Sequence, residues 1–221
     1  MKKLYFLVYI AILLCSSCSL KQSINNMWHE ADIQIEVVLN GKDTAMLTVY
    51  RNEFSTRTII LQEQAVIGRN SMTDKKQEGD NKTPVGVYAI ERAFGLSKNP
   101  GTLLPYVQLS ENDVWVDDIH SRYYNKWAKK NFADKDWNSA EDLSSEKVAY
   151  QYAMIIEYNT HPVEYKKGSA IFLHCKKADN TSGCLAVSED TMKKILKISN
   201  SKIVIAIARN NQELQAITGI R

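Results

Sequence analysis

Histidine and cysteine are scarce in this chain, four of each in 221 residues. Among His161, His174, Cys175 and Cys184 no C-x₂-C or H-x₃-H pair occurs. A zinc site drawn from His161, His174, Cys175 and Cys184 would therefore have no local scaffold, and the sequence asks for neither a metal nor a cofactor. Basic runs are missing too. Lys129-Lys130, Lys166-Lys167 and Lys176-Lys177 stand as separate doublets beside acidic or polar residues, and the formal net charge is only +3. That excludes nucleic acid as a partner. There is no internal repeat and no low-complexity segment. What remains is a length sufficient for one domain with a full core.

The one long apolar run is at the N-terminus. Lys2-Lys3 precede Leu4–Leu14, and Cys15-Ser16-Ser17-Cys18 follows. A basic start, a short apolar stretch and small residues at a boundary make up the pattern of a secretory signal over residues 1–17. The run becomes Ser- and Cys-rich too early for a membrane span. Ser16-Ser17-Cys18 is similar to the lipobox of bacterial lipoproteins, although Cys15 stands where that pattern prefers Leu. On this reading Cys18 carries lipid, and the protein is exported and held at the cell envelope, periplasmic and membrane-anchored. Loss of Lys2 and Lys3 with the signal lowers the net charge to +1. Cys175 and Cys184 are then the only other cysteines.

Residues 18–30 are polar without a clear period and read as a tether. The alternation of Ile33, Ile35, Val37 and Leu39, then Asn40–Asp43, then Ala45–Tyr50, predicts a β-hairpin. Arg57–Ile67 is β-branched and extended, Asn70–Lys82 is a polar loop, and Thr83-Pro84-Val85-Gly86-Val87-Tyr88 opens another strand. Arg122–Leu143 reads as an excursion with one short helix. Tyr152–Tyr158 and Ala170–His174 are core strands. Ser188 caps a helix with Glu189 and Asp190 in its first turn, Lys193, Lys194 and Lys197 further on, and Met192, Ile195, Leu196 and Ser199 inward. Lys202–Arg209 is a buried closing strand. The domain runs over residues 31–210, with residues 211–221 as a tail. The fold class is mainly β with one convincing helix in the C-terminal half.

The chemistry concentrates in Ala170–Ser188. A nucleophilic sulfur needs a base to take its proton and donors to hold the charge that develops on the attacked carbonyl. Cys184 can be the nucleophile, His174 the base, and the backbone N–H groups around Gly183 the oxyanion donors. In an extended Ala170–Cys175, His174 and Cys175 point to opposite faces, so a Cys184 that meets His174 is poorly placed to meet Cys175. The competing reading is a Cys175–Cys184 disulfide, the ordinary use of two cysteines in an exported protein.

With these residues in view, the chain resembles the L,D-transpeptidase catalytic domain, the YkuD-type family of bacterial cell-wall enzymes. His174-Cys175 and Thr181-Ser182-Gly183-Cys184 match the family's His-Gly and Ser/Thr-His-Gly-Cys motifs. Lys82-Thr83-Pro84-Val85-Gly86 looks like its Thr-Pro-x-Gly strand, and the likeness extends over about Ile33 to Arg209. Ser182 replaces the second histidine, and Cys175 stands where many members have glycine. The resemblance implies a β-sandwich working on peptidoglycan stem peptides by acyl transfer through a Cys184 thioester. His174 is then the base, the Cys175 carbonyl orients it, and Gly183 contributes to the oxyanion site. Asp118, Ser121, Arg122 and Tyr124, with Ser182, would recognise the stem peptide; otherwise that segment is a polar loop whose tyrosines and Trp127 pack a flap. Two alternatives accompany this reading: an L,D-carboxypeptidase using water as acceptor, and a catalytically silent wall-binding lipoprotein.

Overall fold

The computed structural model describes residues 22–54 and 56–219; the signal segment and Cys18 lie outside them. Strands β1 (Ile33–Leu39), β2 (Thr44–Glu53), β3 (Thr56–Val66), β4 (Met72–Thr73), β5 (Thr83–Pro84), β6 (Gly86–Ala89), β7 (Ala93–Gly95) and β8 (Tyr106–Gln108) come first. Then follow β9 (Asp113–Val116), β10 (Lys126–Lys129), β11 (Ala140–Asp142), β12 (Ala153–Ile155), β13 (Phe172–Cys175), β14 (Leu185–Val187) and β15 (Ile203–Ala208). Helix α1 covers residues 22–29, α2 Glu189–Ile198 and α3 Asn211–Thr218.

Ten strands form one sheet in the order β6-β15-β1-β2-β3-β14-β13-β12-β7-β8. Alternation decides its inner face. Ile33, Ile35 and Val37 of β1 and Ala45, Leu47 and Val49 of β2 share a single core with Ala93, Met154, Leu173, Cys175, Leu185 and Val187 from the opposite half. The sheet is therefore curled, and its two halves act as the two layers of the expected mainly β sandwich. Helix α2 closes the space between them with Met192, Ile195 and Leu196, all fully buried. Ser188 caps it by accepting from the Thr191 N–H at 3.3 Å. Glu63 of β3 in turn accepts from the Ser188 N–H at 2.9 Å and its hydroxyl at 3.0 Å, tying the helix start to the sheet.

β15 explains its own uniformly apolar sequence. Ile203, Ile205 and Ile207 enter the central core, whereas Val204, Ala206 and Ala208 lie under a second cluster with Trp28 and Leu214. A strand covered on both faces needs no alternation. The cover is α1 and α3, and here the structure departs from the sequence reading. Residues 22–29 of the expected tether are helical, with Ile24, Met27 and Trp28 at helical spacing and Trp28 fully buried. Residues 211–218 of the expected tail form a helix capped by Asn210, whose side chain accepts from the Glu213 N–H. Both helices are short enough that their apolar faces amount to two or three residues, too few for periodicity to register.

The Arg122–Leu143 excursion, expected to hold a helix, supplies strands instead. β10 and β11 flank β9 in a small sheet that sets Trp115 directly opposite Trp127. Tyr123 packs edge-on to both Phe132 and Trp137, so aromatic pairing outweighs any local helical preference.

If α1 belongs to the domain, Trp28→Ala should lower unfolding free energy by about 3–5 kcal/mol, the usual loss for a fully buried aromatic. Urea denaturation measures this; an unchanged midpoint would mean that residues 22–29 are a tether after all.

Candidate active site

β13 and β14 run parallel, with Leu173 opposite Leu185, His174 opposite Ala186 and Cys175 opposite Val187. This register sorts the side chains. Leu173, Cys175, Leu185 and Val187 face the core, which leaves Phe172 and His174 on the other face with Ala186 and, one step before the strand, Cys184. Cys175 is buried and its thiol donates to the Tyr152 carbonyl at 3.5 Å. Both cysteines are free thiols on opposite faces, so the disulfide reading does not hold. His161 lines a different depression, away from His174.

His174, Cys184, Ala186 and Ser182 line one pocket of about 530 Å³. His174 is 7% exposed, and its Nδ1 lies 2.9 Å from the Cys175 carbonyl. A carbonyl only accepts, so Nδ1 carries the proton and Nε2 is the basic nitrogen. Burial holds the imidazole pKa below its ordinary value, against smaller opposing effects of that carbonyl bond and Glu146. The imidazole rests edge-on to Tyr150 at 5.6 Å, and Tyr150 in turn packs against Phe172, which also meets Phe94 and Trp115. This aromatic platform, with Cys184 packed on it, is the apolar floor of the site.

The Cys184 thiol donates to the Ala170 carbonyl at 3.1 Å and accepts from the Phe172 N–H at 3.3 Å. Ala170 holds a left-handed conformation, φ +53°, that turns its carbonyl to this task. Burial pushes the thiol up to about 12; Glu141 adds to the rise, while the Phe172 N–H and Lys76 oppose it. Cysteine and histidine are both neutral near pH 7. Among the described residues no hydrogen bond joins them, and the thiol points to Ala170.

The turn before the cysteine is built from hydroxyls. Thr181 Oγ1 donates to the Cys184 carbonyl at 2.7 Å and accepts from the Gly183 N–H at 3.1 Å. Thr83, from the Thr-Pro-x-Gly segment, accepts from the Gly68 N–H at 2.9 Å and donates to the same Cys184 carbonyl at 3.4 Å. Gly183 sits at φ +140°, and a Cβ there would press on the Lys82 carbonyl at 3.0 Å. Its expected role is thus corrected: Gly183 shapes the turn, but its own N–H is already used. The Cys184 N–H has no hydrogen-bond partner among the described residues.

The other expected recognition residues are not in the pocket. Asp118 accepts from the His120 and Asn138 N–H groups at 2.9 and 2.8 Å, and the Asn138 bond is the main cause that holds its carboxyl below the ordinary value. Ser121 is fully buried and donates to Asp136 at 2.5 Å. Arg122 lies outside, against Asp134 and Asp136 at 3.8 and 3.5 Å. Tyr124 is buried and donates to Glu78 at 2.5 Å. The flap reading is the one that fits, because Trp127 donates to Asp113 at 2.7 Å inside the small sheet. Ser182 does line the pocket and accepts from Arg69 at 2.8 Å. Sequence reasoning missed Arg69, Lys76, Glu141 and Tyr150, which come to the pocket from distant segments without any local pattern.

The family model described as the L,D-transpeptidase catalytic domain (YkuD) matches residues 34–205. No curated protein matches the chain. Among solved structures, Bdellovibrio bacteriovorus Bd1075 is similar at 16% identity and a TM-score of 0.44, over 86% of this chain and 54% of that one. Mycobacterium tuberculosis L,D-transpeptidase 1 is similar at 14% identity and a TM-score of 0.37, over 80% of this chain and 62% of that one. The chain thus spans less than two thirds of the length of either.

A half-buried neutral thiol has a reactivity signature. With its pKa raised by burial, Cys184 should react with iodoacetamide more slowly at pH 8 in the folded than in the unfolded protein. The folded rate should rise about tenfold per pH unit through pH 9 to 10. Glu141→Gln removes a neighbouring negative charge and should speed the reaction at pH 8. Peptide-mapped alkylation rates check both, and a plateau below pH 9 would reveal a preformed thiolate instead.

Proposed function

The chain belongs to the L,D-transpeptidase catalytic domain family, and from that premise we propose that it is a peptidoglycan L,D-transpeptidase using Cys184 and His174. The observation that carries this reading is their placement on one face of the β13–β14 pair, with the His174 tautomer fixed by the Cys175 carbonyl at 2.9 Å. Cys175 is a positioning residue through that carbonyl, which any side chain would leave intact.

The electrostatics support general-base attack rather than a resting ion pair. With substrate in the pocket, the Cys184 thiol turns from the Ala170 carbonyl and gives its proton to His174 Nε2 as the sulfur bonds to the carbonyl carbon of the third stem residue. The unpartnered Cys184 N–H donates to the oxyanion. Collapse breaks the C–N bond to the terminal D-amino acid, whose amine leaves with the proton from His174, and a thioester remains. A diamino-acid amine of a neighbouring stem then attacks the thioester, His174 takes the amine proton, and the thiol is restored as the cross-link forms. The apolar aromatic floor favours this route, because it keeps the attacking pair neutral until the bond forms. Export and a lipid anchor at Cys18 complete the proposal, placing the domain beside its substrate at the envelope.

Incubation with a tetrapeptide stem should give a thioester mass adduct on Cys184 and cross-linked dimers. Cys184→Ala should abolish both, and His174→Gln should lower kcat by about 10²–10⁴-fold. Shortened monomeric stems in place of dimers would assign the carboxypeptidase reaction to the same pair. Products formed equally by the Cys184→Ala protein would overturn the proposal.

A further inference from the structure

The one cation among the residues expected to recognise the stem peptide, Arg122, is tied up outside the pocket by Asp134 and Asp136. Two other cations occupy the place where such recognition is useful, beside the two residues that precede Cys184. Lys76 is only 5% exposed, yet it lines the pocket. Its Nζ lies 3.4 Å from the position a Cβ on Gly183 would take. One of its three donors meets Asp80 at 2.7 Å; among the described residues Nζ makes no other hydrogen bond. A buried ammonium with two unused donors is costly unless something in the pocket takes them.

Arg69 stands at the same turn. Its guanidinium makes no ion pair among the described residues, and Nη2 donates to Ser182 Oγ at 2.8 Å. Its backbone N–H is pinned to the Thr181 carbonyl at 3.0 Å, so both ends of the residue are held. Fixing one nitrogen of the planar fork leaves the others for a planar anion. The Ser182 hydroxyl thereby acquires a task, holding an arginine against the nucleophile turn.

We propose that Arg69 and Lys76 together bind a carboxylate of the stem peptide next to the scissile bond. This rests on the stem-peptide reading above and adds a specificity element to it. Lys76 is the deep point charge and Arg69 the planar fork at the rim. Asp80 organises the loop that brings Lys76 in, since its carboxylate also accepts from the Gln77 and Lys82 N–H groups at 2.9 Å each. Two carboxylates in such a substrate have the right chemistry: the terminal one of the leaving D-amino acid, and the side-chain one of a diamino acid that carries it.

Calorimetric binding to the Cys184→Ala protein, which cannot turn substrate over, separates these sources. Three peptides are compared: the free diacid stem tetrapeptide, its C-terminal carboxamide and its side-chain carboxamide. One amidation should weaken binding about tenfold or more, and Arg69→Gln or Lys76→Gln should shrink that ratio towards one. Which amidation does so identifies the carboxylate. Lys76→Arg should keep most of the ratio, and Arg69→Gln changes an exposed side chain, so a fold lost in Lys76→Gln would not spoil the test. If the ratio is unchanged in both neutralised variants, or neither amidation matters, the carboxylate assignment is overturned while the stem-peptide reading stands. If none of the three peptides binds, the stem-peptide reading fails and takes this assignment with it.

Discussion

Everything at the site depends on the parallel register of β13 with β14. Because side chains alternate along a strand, a one-residue slip of β14 would carry Cys184 into the core, and one of β13 would turn His174 inward and Cys175 toward the pocket. The apolar partners on the inner face, Leu173, Leu185 and Val187, are what forbid that slip. Core packing thus selects which of two cysteines faces the pocket. The nucleophile turn then adds its own constraint through Thr181 and Thr83, whose hydroxyls hold the Cys184 carbonyl from opposite segments of the chain.

The floor of the site is aromatic and its reactive pair neutral. Phe94, Trp115, Tyr150 and Phe172 form a continuous edge-to-face platform beneath His174 and Cys184. Burial moves the two groups in opposite directions, histidine down and thiol up, since in each case the charged form is penalised. Glu141 belongs to the same environment. Desolvation pushes its carboxyl up to about 7, against the opposing effect of the hydrogen bond from Tyr150. It therefore adds negative charge near the thiol chiefly above neutrality, strengthening the preference for a protonated sulfur there. Lys76 opposes this from the loop side.

How far the sequence revealed this follows from the range of the interactions involved. The hairpin of β1 and β2, the capped α2 and the His174/Cys184 arrangement rest on alternation, capping and short spacing, all local, and all were legible. The family motifs added the connection between the Thr83 segment and the cysteine, although not its hydroxyl-to-carbonyl means. Lys76 and Glu141 had no local signature: one sits in a polar loop, the other on a short strand, and only the tertiary fold brings either of them to the pocket. Arg122 misled for the converse reason, because its neighbours Asp134 and Asp136 lie too far along the chain for spacing to pair them with it. Helices α1 and α3 were hidden by their brevity, each showing only two or three apolar residues on a polar background.

The strand order has a kinetic meaning. β1, among the first strands made, lies between β2 and β15, the last, and pairs with β15 in parallel over six residues. Its partner on that edge is missing until Ile203–Ala208 is available, and the shelter given by α3 comes later still. A chain of this topology stays open while it emerges, whether from a ribosome or through a membrane pore. Its sheet closes in one late step, governed by the most non-local pairing it contains.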